Sequence, residues 1–208
     1  NYWKQYDIQE KDIDKTRVFP VRKIWLNKRL IPTKEIRFAY IVKHENQVYI
    51  KIYSPSSSKM KWLSNIPLHI PFGVDTLPFK SDTLYITKSM KDKMVLNKLF
   101  TDVIATQNES ESSLPETLQT MLKSKYKRLV IVWDNDPVGV ENCKKFNIKG
   151  FEYFNIPREY YEMFGIKDPS DFVSYYGINE LQNLFKLKLK VNLCSEFIMG
   201  AYLVICLA

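Results

Sequence analysis

Arg128-Leu129-Val130-Ile131-Val132-Trp133-Asp134-Asn135-Asp136-Pro137-Val138-Gly139 is the stretch on which the fold turns. Its first six residues, apolar after Arg128, predict a strand buried on both faces. Two carboxylates follow, one residue apart, and then a proline. Side chains at i and i+2 of a strand point the same way, so Asp134 and Asp136 can face one site at the strand end. Two carboxylates so placed suit Mg²⁺, a hard ion that prefers oxygen ligands. A second reading stays open: Asp136 before Pro137 is a good helix N-cap and first-turn pair. That accounts for Asp136 but leaves Asp134 without a purpose.

Outward from this strand, the pattern from residue 84 alternates. Strands are predicted over 84–87, 102–106 and 151–154, and helices over 90–100, 114–123, 137–146, 170–176 and 179–188. Strand and helix at this spacing predict a parallel sheet covered by helices on both faces. Sites in such sheets form outside the carboxyl ends of the strands. Attention therefore falls on residues 87–92, 107–110, 134–136 and 167–171. The last holds Asp168-Pro169-Ser170-Asp171, which reads either as a helix opening or as a third acidic group for the site.

The front of the chain has a different character. The whole sequence carries a net charge of +8, yet residues 1–83 hold 15 Lys/Arg against 8 Asp/Glu, and residues 84–208 hold 16 against 15. Such a bias marks either a surface for a polyanion or a solvated face. A short helix is predicted over 1–15 and a hairpin of strands 38–43 and 47–53, then a loop at 54–59. Pro67, Pro71, Gly73 and Pro78 mark a boundary. The expected domains are a basic α+β subdomain at 1–80, an α/β domain at 81–190 and an apolar tail at 191–208. The tail is short for a membrane span, and no membrane partner is expected. Cys143, Cys194 and Cys206 form no CxxC pair, and no secretory leader opens the chain at Asn1, so a cytoplasmic location is expected. Neither a GxxxxGK[ST] loop nor a zinc ribbon is present.

Taken together, Asp134, Asp136 and Gly139 at the end of a strand, followed by Asp168, Pro169 and Asp171, resemble the TOPRIM domain of primases and topoisomerases. Residues 84–92 align with that family's strand-Glu-Gly-x-x-Asp element: Asp92 matches, Lys88 stands where the family has Glu, and Ser89 where it has Gly. Residues 2–21 and Lys61-Trp62-Leu63-Ser64-Asn65 are similar to the segment that precedes TOPRIM in bacterial-type primases, and the departures at 88 and 89 place the likeness nearer to phage-encoded primases.

The resemblance implies a Rossmann-like parallel sheet flanked by helices. It also implies primer synthesis on single-stranded DNA from nucleoside triphosphates, with Mg²⁺ or Mn²⁺ as cofactor and a replicative helicase as partner. Asp134, Asp136, Asp168 and Asp171 would hold metal, and Lys88, Asp92, Glu109, Asp134 and Asp136 would serve catalysis. Protonated Lys88 has no lone pair for a metal and would instead act as a point charge on phosphates. Glu109, beyond the second strand and so on the same rim, would supply the missing carboxylate; otherwise the two are an exposed lysine and an ordinary loop acid. Lys51, Lys59, Lys61 and Trp62 would contact template, with core packing the other reading for Trp62. A TOPRIM nuclease or topoisomerase-like enzyme, or a non-catalytic nucleic-acid-binding module, is the alternative.

Overall fold

A computed structural model describes residues 2–31 and 35–188; the apolar tail lies outside the described residues. The chain opens with a 3-10 turn at Tyr2–Tyr6 and a helix, α1, at Glu10–Lys15, rather than one helix over 1–15. The break falls at Asp7, whose φ of 57° no helix accommodates, and it turns Ile8 into the core.

The front half then forms six strands: β1 (Val18–Pro20), β2 (Ile24–Leu26), β3 (Arg29–Ile31), β4 (Phe38–His44), β5 (Gln47–Tyr53) and β6 (Trp62–Ser64). The hairpin read from residues 38–53 is β4–β5, paired from Phe38↔Tyr53 to His44↔Gln47. It sits at the centre of an antiparallel sheet of order β1-β4-β5-β6. The β2–β3 ribbon was not expected. Its two-residue turn, Asn27-Lys28, takes positive φ at both positions, as tight hairpins require.

The back half runs β7 (Thr83–Thr87), α2 (Met90–Leu96), β8 (Val103–Ala105), α3 (Glu116–Lys125), β9 (Arg128–Val132), α4 (Pro137–Ile148), β10 (Glu152–Tyr153), α5 (Arg158–Phe164) and α6 (Pro169–Tyr176). A last helix, α7, covers 178–188. The strands form one sheet of order β10-β9-β7-β8 in which every pair is parallel. This is the α/β architecture expected, with an antiparallel α+β region before it. Helix α2 stops at Leu96 instead of reaching residue 100. There the chain turns so that the Leu99 and Phe100 N–H groups donate to the Leu96 carbonyl, and Phe100 stacks on Tyr85.

Period-two alternation divides the core. Leu129 and Ile131 of β9, with Trp133 just after it, face one layer, formed with Leu122 of α3 and Cys143 and Phe146 of α4. Val130 and Val132 face the other, which holds Met94 of α2, Phe172 of α6, Phe185 of α7, and Tyr40 and Val42 of the front sheet. The second layer is continuous from one sheet to the other. The front sheet is thereby held beside the parallel sheet, and β4–β6 stand close to its carboxyl rim.

Candidate active site

The rim is built by strand ends. Asp134 leaves β9 fully buried, and its N–H donates to Glu109 Oε1 at 2.9 Å. Asp136 caps α4, accepting from the Gly139 N–H at 2.9 Å. The helix-cap reading of Asp136 holds, and its other oxygen lies 3.7 Å from Lys167. The glycine at 139 has a steric reason. A Cβ there would stand 2.3 Å from the Asp134 carbonyl oxygen and 3.1 Å from Glu109 Oε1. Only glycine lets the first turn of α4 close on the strand end, and this explains the spacing from Asp134 to Gly139.

Two ammonium groups neutralise Asp134. Lys88 pairs with its Oδ2 and lies 3.3 Å from Glu109, while Lys167 reaches the same oxygen at 3.1 Å. Burial pushes the Asp134 carboxyl up to about 6 against the pull of Lys88. Burial alone would lower Lys88, but Asp134 and Glu109 outweigh it and hold its pKa above the usual lysine value. Lys88 and Glu109 are thus brought together with Asp134 on the rim. Lys167 is a member that sequence reasoning passed over. The one signal was its place beside Asp168, since the fold that brings residue 167 to residue 134 cannot be read locally.

A second cluster lies next to the first. Asp92 is fully buried; its Oδ1 accepts from the Ser170 N–H at 3.0 Å and from the Ser170 hydroxyl, and its Oδ2 from Ser89. Asp168 caps α6 through the Asp171 N–H at 2.7 Å and lies 2.7 Å from the Ser170 hydroxyl oxygen, whose single hydrogen serves either this carboxylate or Asp92. Lys91 lies 3.2 Å from Asp171 and 3.8 Å from Asp168. The four expected metal ligands are therefore not gathered in one place: Asp134 and Asp136 converge on Lys167, Asp168 and Asp171 on Lys91. Asp92 meets none of the rim side chains directly and ties α2 to α6.

The implied ion can be judged against the donors. Asp134 Oδ1 is buried and accepts no hydrogen bond, and Asp134 and Asp136 already share one cation, the Lys167 ammonium. A divalent cation fits those two carboxylates, with water completing its shell. Among the described residues, no group of three or more His, Cys, Asp or Glu side chains is placed to hold one.

A cavity of about 390 Å³ opens between this rim and the front sheet. Lys88, Gln107 and Glu109 line one side, and Tyr40, Lys51 and Trp62 the other. Trp62 is 43% exposed rather than part of the core. It stacks on Tyr53 with ring centroids 4.4 Å apart, and the Lys51 ammonium sits 4.7 Å from its ring centre. Burial lowers Lys51 to about 8, and its Nζ donates to Gln107 Oε1 at 3.2 Å. Lys59 and Lys61 are exposed on the approach to β6 and do not line the cavity. Among the described residues, no helix is long and apolar enough to cross a membrane.

No family model and no curated protein matches the chain. Solved structures do. The chain is similar to the primase fragment of the bacteriophage T7 primase-helicase protein, with a TM-score of 0.65 and 11% identity over 88% of this chain and 72% of that one. It is similar to the RNA polymerase domain of Mycobacterium tuberculosis primase DnaG, with a TM-score of 0.63 and 13% identity over 88% and 73%. A third likeness is to a chain of the structure of bacteriophage T7 lagging-strand DNA polymerase with primase domains of two gp4 subunits bound to an RNA/DNA hybrid and dTTP. There the TM-score is 0.62 at 10% identity, over 85% and 86%. At these identities the likeness is one of fold: the chain has the mixed α/β fold of a phage and a bacterial primase fragment.

Proposed function

We propose that this chain is the TOPRIM catalytic core of a DNA primase, nearer to phage-encoded primases than to the bacterial enzyme. It joins ribonucleotides on a single-stranded DNA template in the cytoplasm, together with a replicative helicase. In this reading residues 1–80 carry the template and residues 81–190 the chemistry. One observation carries the proposal: the cavity in which the charged rim, Lys88 and Glu109, faces the aromatic and basic wall of Lys51 and Trp62. An active site for nucleotidyl transfer needs both sides, one for the triphosphate and one for bases and template.

The 3′-hydroxyl oxygen forms a bond to the α-phosphorus, and the bond from that phosphorus to the bridging oxygen breaks to release pyrophosphate. Glu109 takes the hydroxyl proton, and Lys88 holds phosphate oxygens as a point charge. Asp134 and Asp136 are the ligands for Mg²⁺ or Mn²⁺, which when bound neutralises triphosphate charge. Trp62 offers a stacking face, with Lys51, Lys59 and Lys61 along the template phosphates.

A non-catalytic nucleic-acid-binding module is the second reading. The observation that favours it is the Lys88–Asp134 pair, an ammonium standing where the resemblance places a carboxylate. Incubating the chain with labelled nucleoside triphosphates, single-stranded DNA and Mg²⁺ or Mn²⁺ separates the two. Template-dependent oligoribonucleotides are the expected product. Binding of DNA without product under either metal would leave only the module.

A further inference from the structure

We propose that the cavity at the end of the parallel sheet away from the rim binds a small phosphate-bearing anion, a phosphate monoester up to the size of a nucleoside monophosphate, on Lys93. The cavity measures about 480 Å³ and lies where α1 ends, beside Gly73 and Thr76 and against the last turn of α2. Its far wall includes Val103, the first residue of β8, so it faces the amino ends of the strands. The candidate active site is at the opposite, carboxyl ends.

Lys93 is the feature that demands a ligand. It is 7% exposed and sits on α2 among Met94, Val95 and Leu96, all buried. Among the described residues its ammonium has neither a hydrogen bond nor an ion pair. Asp75, the acid that acts on it electrostatically, is engaged by Arg17 at 2.6 Å. The stem is buried, but the Nζ atom itself is not fully enclosed and reaches the cavity, so an anion there would give it the direct partner it lacks. Burial lowers Lys93 to about 8, which leaves it mostly charged at neutral pH.

The surroundings specify the charge and shape of that ligand. No carboxylate lines the cavity. Lys98 is spent on Asp7 and Asp12, at 3.4 and 3.1 Å, while Lys15 is exposed at the mouth. Asn97 adds an exposed amide, and Phe100 with Leu77 adds an apolar wall. Cation, polar donors and a flat apolar face together suit a phosphate carried on a ring-bearing group. Gly73 makes room for this arrangement. It takes φ 83°, and a Cβ there would stand 2.2 Å from Lys93 Cε, so the lysine stem crosses the glycine on its way into the cavity.

The inference goes beyond primer synthesis and does not rest on it. Titration calorimetry of the full chain at pH 7 and fixed ionic strength, with inorganic phosphate and with adenosine monophosphate as probes, tests it. The wild type and Lys88→Met are expected to bind with affinities within twofold of each other, and Lys93→Met to bind at least tenfold more weakly. Tighter binding of adenosine monophosphate than of phosphate would identify a nucleotide, and equal binding would identify free phosphate; either supports the site. Lys93→Met is also expected to melt no lower than the wild type, because the ammonium it removes makes no hydrogen bond or ion pair and methionine keeps the buried stem packed. Absence of binding to the wild type, loss in Lys88→Met without loss in Lys93→Met, or a lower melting temperature for Lys93→Met would each overturn the proposal.

Discussion

Two clusters of carboxylates and lysines lie side by side above the parallel sheet, nearly identical in composition and unlike in saturation. Around Lys91, both oxygens of Asp92 and Oδ1 of Asp168 are met by serine hydroxyls and helix N–H groups, and Asp168 Oδ2 faces the Lys91 ammonium at 3.8 Å. Around Lys88, Asp134 keeps one buried oxygen without a donor, and its partners Lys88 and Glu109 line an open cavity. A saturated cluster has no valence left for a ligand and acts as a clamp. An unsaturated one, held in place by the backbone, is prepared for something else to enter. The count of acidic residues would not distinguish them; the count of free lone pairs does.

The sharpest way to break this contrast is Asp134→Asn. The amide keeps the volume and removes the charge, and Lys88 retains Glu109 as its partner. Primer synthesis should fall by about 10²–10³-fold, the scale of losing a group that stabilises reacting charge, with the fold kept, because burial already opposes the ionised form of Asp134 and Lys88 and Lys167 retain Glu109 and Asp136. Steady-state rates and denaturant melts on one preparation check both halves. A variant that unfolds instead would make the rim a clamp as well.

The second cluster should answer in the opposite currency, stability. Asp92→Ala leaves Ser89 and the Ser170 N–H without their acceptor, while the Ser170 hydroxyl keeps Asp168, an expected cost of about 2–3 kcal/mol. Burial, reinforced by the charge of Asp168, raises the Asp92 carboxyl to about 8. A raised folded-state pKa favours the protonated form. The associated stability is therefore full below the unfolded value near 4 and is lost as pH climbs to about 8, by at most about 1.4 kcal/mol per pH unit. Asp168, which its donors and Lys91 hold low against burial, loses its contribution only below that window. Asp92→Asn mimics the protonated acid and should remove the Asp92 part of the slope, flattening it between about pH 6 and 8 and leaving the Asp134 part below pH 6. Melting curves across that range decide it.

What was legible follows the same division between local and assembled features. The apolar run ending in Asp134-Asn135-Asp136 fixed a buried strand, and the β4–β5 hairpin was plain from its alternation. The β2–β3 ribbon was not, because strands of three residues carry too little pattern and its turn, Asn27-Lys28, contains no glycine. Helix α5 was missed because every residue in it is at least partly exposed, which removes the apolar stripe that marks a helix. Within the site, individual acids could be named, but not their division between Lys91 and Lys167. That depends on contacts such as Lys91–Asp171, 80 positions apart.

A smaller effect separates the roles within the rim. Lys88→Ala removes a point charge facing the cavity and should raise KM for nucleoside triphosphate about tenfold with kcat nearly kept, the signature of lost ground-state binding. Glu109→Ala should lower kcat by about tenfold or more, as loss of a proton acceptor does. Identical effects of the two changes on both constants would mean that they act as one unit through Asp134.

The smallest expected effect belongs to Lys167, and it bears on whether the rim is open to an ion. Its side chain is 42% exposed, and it bridges the two carboxylates that a divalent cation would share. A partly exposed pair contributes about 0.2–1 kcal/mol, so Lys167→Met should leave melting almost unchanged. The same ammonium competes with any cation for Asp134 and Asp136. Its removal should therefore lower the Mg²⁺ concentration at half-maximal activity by roughly twofold to fivefold, the same free energy read as affinity. Lys91→Met offers the contrast, since its partners Asp168 and Asp171 cap and open a helix: it should cost stability and leave Mg²⁺ dependence where it was. Titrating Mg²⁺ against rate in both variants distinguishes a cation-ready rim from a second clamp. A Lys167→Met curve that overlays the wild type would show that the ion, if used, binds elsewhere.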